Sequence, residues 1–163
     1  MADDLQKPPK SDGADLYERD YLAWTEVQAA ALRARRGGET ALDYDNLAEE
    51  IEDLGKSEYR ACERQIENIL QHLLKIEFIG PAENIPHWRG EIAGFRRELD
   101  KRLTATIKNR LQPDLDDAFA YAIKSLVECG MIVRSQVLAD RTGYDWSLVV
   151  DPDWYPDARY SAS

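Results

Sequence analysis

The sequence is short of the residues that staple or metallate a small protein. Its 163 residues include two cysteines and two histidines. Cys62 and Cys129 stand far apart, which excludes a disulfide framework and points to a reduced, cytoplasmic setting. His72 and His87 alone cannot build a three-histidine metal centre. No apolar run approaches the ~20 residues that cross a bilayer, and the opening MADDLQKPPKSDGAD lacks the apolar core of a secretion signal. GxGxxG, GxxxxGK[ST], GxSxG and CxxC are all missing. Nucleotide-cradling loops, serine-hydrolase elbows and dithiol chemistry are therefore not indicated. Apolar and polar residues nowhere alternate for long, so no sheet is expected.

Positive charge is also scarce. Lysine and arginine number 21 against 31 acids, a net charge of −10. Such a surface repels nucleic acid and anionic lipid unless a local basic patch overcomes it. Neither is an expected partner. Hydrophobic residues at 44% and charged residues at 32% are ordinary for a chain outside membranes, and the length suits one domain with a real core.

What the sequence does have is helical period, centred on Asp45–Ile79. Leu47, Ile51, Leu54, Glu58, Ala61, Gln65, Ile69, His72 (or Leu73) and Ile76 recur in steps of three and four, which places them on one helix face. Cys62, Ile66, Leu70 and Leu74 widen that face, so more than one neighbour must cover it. Asp43 or Asp45 can cap the start, and Pro81 after Gly80 marks the end. Gly55 is the place for a kink, or for a second backbone to come close.

Other segments follow the same logic. Residues 1–14 have no periodicity and read as a mobile tail. A first helix is expected over Leu16–Arg36, with Tyr17, Tyr21, Trp24, Gln28 and Ala31 on its buried face. Arg33, Arg35 and Arg36 complement its dipole before Gly37–Gly38 stop it. A helix from Pro86 to Leu111 carries the stripe Trp88, Ile92, Phe95, Leu99, Leu103 and Ile107. Residues 86–112 hold seven bases and three acids, net +4, whereas residues 45–79 hold nine acids and four bases, net −5. Antiparallel packing of the two would set these charges against each other. Weak nucleic-acid or phosphate binding is the alternative use of the basic stripe. A fourth helix follows Pro113 and runs towards Arg141, with Leu115, Phe119, Ala122, Leu126, Val133 and Val137 inward and a kink or break at Gly130. One helical turn and the strap DPDWYPDARY close the chain, and Trp146, Trp154 and Tyr155 should pack back. The expected fold is all-α: a helical bundle of four main helices, one of them long. The bundle spans 15–143, the strap 144–163 with its last residues mobile, and Trp24, Phe95 and Phe119 share a core.

Five segments together resemble one bacterial family. They are YERDYLAW (Tyr17–Trp24), LDYDNLAEEIEDLGKSE (Leu42–Glu58), HLLK (His72–Lys75), Trp88-Arg89 and DPDWYP (Asp151–Pro156). The family is the one catalogued as domain of unknown function 29. DNLAEEIEDLG carries most of the specificity. The resemblance covers roughly Leu16 to Pro156 and implies an all-helical protein. It implies no activity and transfers no catalytic or binding residue.

Candidate chemistry rests on two groups. Glu49, Glu50, Glu52, Asp53 and Glu58 crowd the long helix, and Glu50 and Glu58 border or occupy its apolar stripe. A buried carboxylate needs a partner, either a metal or substrate inside the bundle or a neighbouring arginine. The Glu-x-x-His pair of carboxylate-bridged bundles is missing. His72 also lies on the stripe, but fourteen residues past Glu58, roughly 21 Å along a helix. His87 can approach His72 or Glu77 across the Gly80–Pro86 turn. Glu50, Glu58 and His72 are the candidate catalytic residues, with no metal and no cofactor expected. The leading expectation is a non-enzymatic protein-interaction module with a protein partner, a second copy of the chain included. The alternative is a metal-dependent or acid/base enzyme.

Overall fold

A computed structural model describes residues 12–35 and 42–159. Those residues form eight α-helices, one short 3₁₀ turn and no strand. The α-helices are α1 (Asp12–Arg19), α2 (Tyr21–Ala34), α3 (Tyr44–Phe78), α4 (Ile85–Asp100), α5 (Ala105–Leu111), α6 (Leu115–Glu128), α7 (Arg134–Asp140) and α8 (Trp146–Val150). The fold is all-α, as the periodicity requires. The tail expected over 1–14 lies outside the described residues up to residue 11, and so do Gly37–Gly38 and the last four residues.

Three of the expected helices are divided. The first changes direction at Asp20, whose backbone (φ −150°, ψ 86°) leaves the helical region while its carboxylate accepts from Ala23 N at 3.1 Å. The third breaks at residues 101–104, between α4 and α5. The fourth ends at Gly130, the one described glycine with positive φ (69°). There Gly130 N donates to Val127 O and Met131 N to Leu126 O, both at 2.9 Å, the paired bonds of a Schellman stop. A glycine adopts this left-handed conformation without the strain a Cβ would bring.

The described residues fall into two compact units. One holds those up to Tyr59 together with Thr104–Thr106. The other holds Arg60–Leu103 and those from Ile107 on. Helix α3 runs unbroken through Gly55 and gives its first part to one unit and its remainder to the other. Asp43 is its cap, accepting from Asn46 N at 3.2 Å.

In the first unit the buried residues differ from those the spacing predicts. Leu47 and Leu54 are 40% and 52% exposed, while Ala48 and Gly55 are buried. Helix α2 turns inward Leu22, Thr25 and Ala29 rather than its aromatics. Small residues win because they let two backbones approach. A Cβ on Gly55 would fall on Thr25 Oγ1 and stand 3.0 Å from Leu22 Cδ1. Tyr17, Tyr21 and Trp24 instead pack on one another, with ring centroids 4.8–5.8 Å apart. Trp24 belongs to this unit, and Phe95 and Phe119 to the other. Asp20 closes this unit: besides Ala23 N it accepts from Thr104 Oγ1 at 2.9 Å and Thr106 N at 2.8 Å. Burial alone would raise its pKa, and the bonds from Thr106, Ala23 and Thr104 outweigh that and hold it low.

The second unit has a conventional core. Cys62, Ile66, Ile69, Leu70, Leu73, Leu74 and Ile76 of α3 are buried with Ile92, Leu99, Ile107, Leu111, Phe119, Ile123, Leu126, Val137 and Val149. Each such side chain contributes about 1.5–3 kcal/mol by leaving water.

Candidate functional site

The long helix places the three candidate residues differently. Glu50 is exposed and Glu58 half-buried, both in the first unit, and His72 is buried in the second. The neighbouring Glu52 accepts from Arg33 Nη2 at 2.7 Å, the arginine partner that a crowded acidic helix calls for. That hydrogen bond, with the nearby Lys56, holds the Glu52 carboxyl below its usual range.

His72 sits among polar neighbours. Its Nδ1 donates to Asn68 O at 2.8 Å, the carbonyl one turn earlier. Its Nε2 lies 2.9 Å from Glu91 Oε2 and 3.5 Å from Lys75 Nζ. His87, one turn before Glu91 on α4, stands 3.4 Å from the same carboxylate oxygen. The approach of His87 towards His72 expected across the turn is thus made through Glu91. Phe95 covers the ring at 5.2 Å. Burial pushes the His72 pKa down, and the Asn68 carbonyl and Glu91 only partly restore it. A neutral ring can accept from the Lys75 ammonium. Among the described residues no group of three or more His, Cys, Asp or Glu is placed to hold a metal ion.

The most concentrated polar cluster is one the spacing argument passed over. Glu77 is fully buried at the end of α3. Its carboxylate receives Tyr144 Oη at 2.6 Å, Arg141 Nε at 2.7 Å and Arg159 Nε at 2.6 Å. Arg159 N also donates to Glu77 O at 2.8 Å, and the Arg141 guanidinium lies 4.6 Å over the Tyr144 ring. Burial, then Glu77, push the Tyr144 phenol far above its usual pKa. The signal was present in the sequence: Ile66, Leu70, Leu73 and Glu77 follow steps of four, three and four, so Glu77 falls on the buried stripe.

Arg96 is the second such residue, on the buried stripe between Ile92 and Leu99. The sequence argument counted it in a basic face opposed to the acidic helix. In the structure it is buried and donates to Val149 O at 2.9 Å, Leu148 O at 3.0 Å and Trp154 O at 3.0 Å. These carbonyls belong to the last turn of α8 and the strap after it, where no further helical N–H is available to them. A guanidinium serves them all because its donors fan out in one plane. Arg89 lies 4.8 Å over the Tyr155 ring. The basic stripe therefore spends Arg96 and Arg89 on the C-terminal segment.

The second unit carries further concave surfaces, among them one of about 310 Å³ lined by Phe78, Met131, Ile132, Gln136, Val137, Asp140 and Arg159. A cavity of about 240 Å³ is lined by Glu63, Glu67, Asp114 and Asp117 with Ile66, Leu111, Ala118 and Tyr121. Burial, then Glu63, raise the Glu67 pKa. Another is an open groove of about 600 Å³ between the end of α6 and α7, lined by Val127, Ile132, Val133, Arg134, Ser135 and Leu138. Of its lining, Val127, Val133 and Leu138 are 37–57% exposed. The chain leaves α6 at Glu128, turns at Gly130 and enters α7 at Arg134, and Val127 and Val133 on either side of the turn line this groove.

No helix among the described residues is long and apolar enough to cross a membrane. The family model described as domain of unknown function DUF29 matches residues 16–155. The chain is also similar to a crystal structure of an alpha-helical protein of unknown function from Rhodospirillum rubrum ATCC 11170. The two share 25% identity and a TM-score of 0.67, over 85% of this chain and 90% of that one. No curated protein matches the sequence.

Proposed function

The chain belongs to the DUF29 family, and on that premise we propose that it is a protein-interaction module rather than an enzyme. The observation that carries this reading is the apolar groove at α6–α7. Three large apolar side chains, Val127, Val133 and Leu138, stand about half exposed around one concave surface on an otherwise strongly acidic protein. Contiguous exposed apolar surface is what a partner covers. The state of the polar groups supports the same reading. Glu77, Arg96 and Asp20, the buried charged groups, spend their bonding capacity on protein donors and acceptors. His72 is engaged by Asn68, Glu91 and Lys75, and Glu50 and Glu58 are not gathered around it.

The test is paired capture from the native cell, with the wild-type chain and Val133→Glu as baits. Both baits should melt at the same temperature, because Val133 is 57% exposed. A protein retained by the wild type and lost by Val133→Glu supports the reading. Identical sets on the two baits, together with no self-association of the pure chain, would sink it.

A further inference from the structure

The first unit leaves one apolar helix face uncovered, and the charge around it indicates what fits there. We propose that the Leu47–Leu54 face of α3 is a docking surface for a basic amphipathic helix of a partner protein. It goes beyond the α6–α7 groove, which belongs to the second unit. Helix geometry defines the face. Gly55 and Ala48 stand seven residues apart and are buried, and Thr25 and Leu22 of α2 close on Gly55. Leu54 and Leu47 each come one residue earlier, so they are turned about 100° away from that contact. Both are exposed, and half-buried Ile51 completes an apolar stripe in steps of four and three. Glu52, tied to Arg33 of α2, is turned to the other side of the contact. Glu58 follows Leu54 by one turn. Burial, then Tyr17 and Glu58, raise the Tyr21 pKa, so the mutually packed rings of Tyr17, Tyr21 and Trp24 lie at the Glu58 end of the stripe. Aliphatic bulk beside aromatic anchors is the composition of an interface centre.

Charge selects the occupant. Residues 42–59 hold seven acids and one base, net −6. Glu50 falls between Leu47 and Leu54, is exposed, and has no ion-pair partner among the described residues. A second copy docked here would set this acidic stretch against itself, on a chain that already carries −10. A helix with an apolar stripe flanked by lysine or arginine meets both needs. Its apolar side chains cover Leu47, Ile51 and Leu54, and its cations approach Glu50. A helix suits the face better than a strand, because side-chain ridges at helical spacing receive ridges of the same spacing. From Leu47 to Glu58 the stripe runs roughly 16 Å, three turns of helix.

Calorimetric titration of the full chain tests this, with a synthetic peptide of about 18 residues, long enough for a helix of roughly 27 Å, as the probe. The peptide carries leucine along one helix face and lysine along the other. It should bind with a Kd of about 1–100 μM at low salt, and several-fold more weakly as salt screens the charges. Leu47→Gln combined with Leu54→Gln should weaken binding by about tenfold or more, and Glu50→Lys by about threefold or more. Val133→Glu, in the second unit, should leave it unchanged. All these positions are exposed, so the variants should melt with the wild type. A peptide of the same composition with its leucines scattered around the helix should bind at least about tenfold more weakly, and one with glutamate in place of lysine should not bind. No binding up to about 1 mM, equal binding of either control peptide, or indifference to the paired leucine changes overturns the proposal. Self-association of the pure chain that disappears in the paired leucine variant would put a second copy on this face and overturn the basic helix as its occupant. The α6–α7 reading is tested separately by Val133→Glu, so either can fail without the other.

Discussion

Replacing Glu77 by alanine isolates the cluster that ties the end of α3 to the C-terminal segment. The substitution removes one carboxylate and leaves three donors facing the gap. Tyr144 is 5% exposed, and the Arg141 and Arg159 side chains are 23% and 42% exposed. Breaking a buried ion pair by deleting one partner costs about 3–5 kcal/mol, chiefly because the other charge is left desolvated. Arg159 should contribute little of this, since water reaches it and screens its charge. Arg141 and the Tyr144 hydroxyl carry most, which argues for the lower end, about 3 kcal/mol. At this chain length each kcal/mol moves the midpoint by about 2–4 °C, so Glu77→Ala should lower Tm by about 6–12 °C. Far-ultraviolet circular dichroism melts give the value. Arg159→Ala should cost no more than about 1 kcal/mol. Adding Arg141→Ala to Glu77→Ala should cost less than the sum of the single changes, because one desolvated charge goes with the other. A Tm fall under about 2 °C for Glu77→Ala, or strict additivity of the pair, would refute the reasoning.

Arg96→Met keeps most of the apolar stem but leaves three strap carbonyls without their donor; it should cost about 2–4 kcal/mol and speed proteolysis after Val150. Equal cleavage rates in mutant and wild type would contradict that role. Gly55→Ala drives a Cβ onto Thr25 Oγ1 and should cost about 1–3 kcal/mol, part of which Thr25→Ala in the same chain should recover; a neutral Gly55→Ala would mean the two helices separate easily. The Tyr144 phenol stays protonated in the folded chain beyond the pH near 10 at which an unfolded tyrosine ionises. Above that pH the unfolded state holds fewer protons, so stability should fall as pH rises further, and Tyr144→Phe should fall less steeply in urea titrations. His72 is shifted the other way for a base: below a pH of about 6.5 the unfolded ring is protonated before the buried one, so stability drops with pH. His72→Gln should lose less between pH 7 and pH 5.5, and an equal loss would show that the ring does not titrate in this window.

Helical period alone determined the fold class and the existence of α3, because a stripe recurring over thirty-five residues admits no other regular structure. The cap at Asp43 and the stop at Gly130 were also legible, since both act through neighbouring backbone groups. The phase of burial in the first half of α3 was not. Hydrophobicity favoured Leu47 and Leu54, but Thr25 and Leu22 of α2 approach on the side of Ala48 and Gly55, where the absence of bulk decides how closely backbones pack. The break at residues 101–104 was hidden for a similar reason: Thr104 and Thr106 reach back to Asp20, more than eighty residues earlier. Glu77 and Arg96 could be placed on buried stripes from spacing, yet not assigned roles, because their partners lie 52 to 82 residues away. A charge on an apolar stripe states a need for a partner. Only the tertiary structure supplies it, since the partners are brought together by the path of the whole chain and not by any local preference.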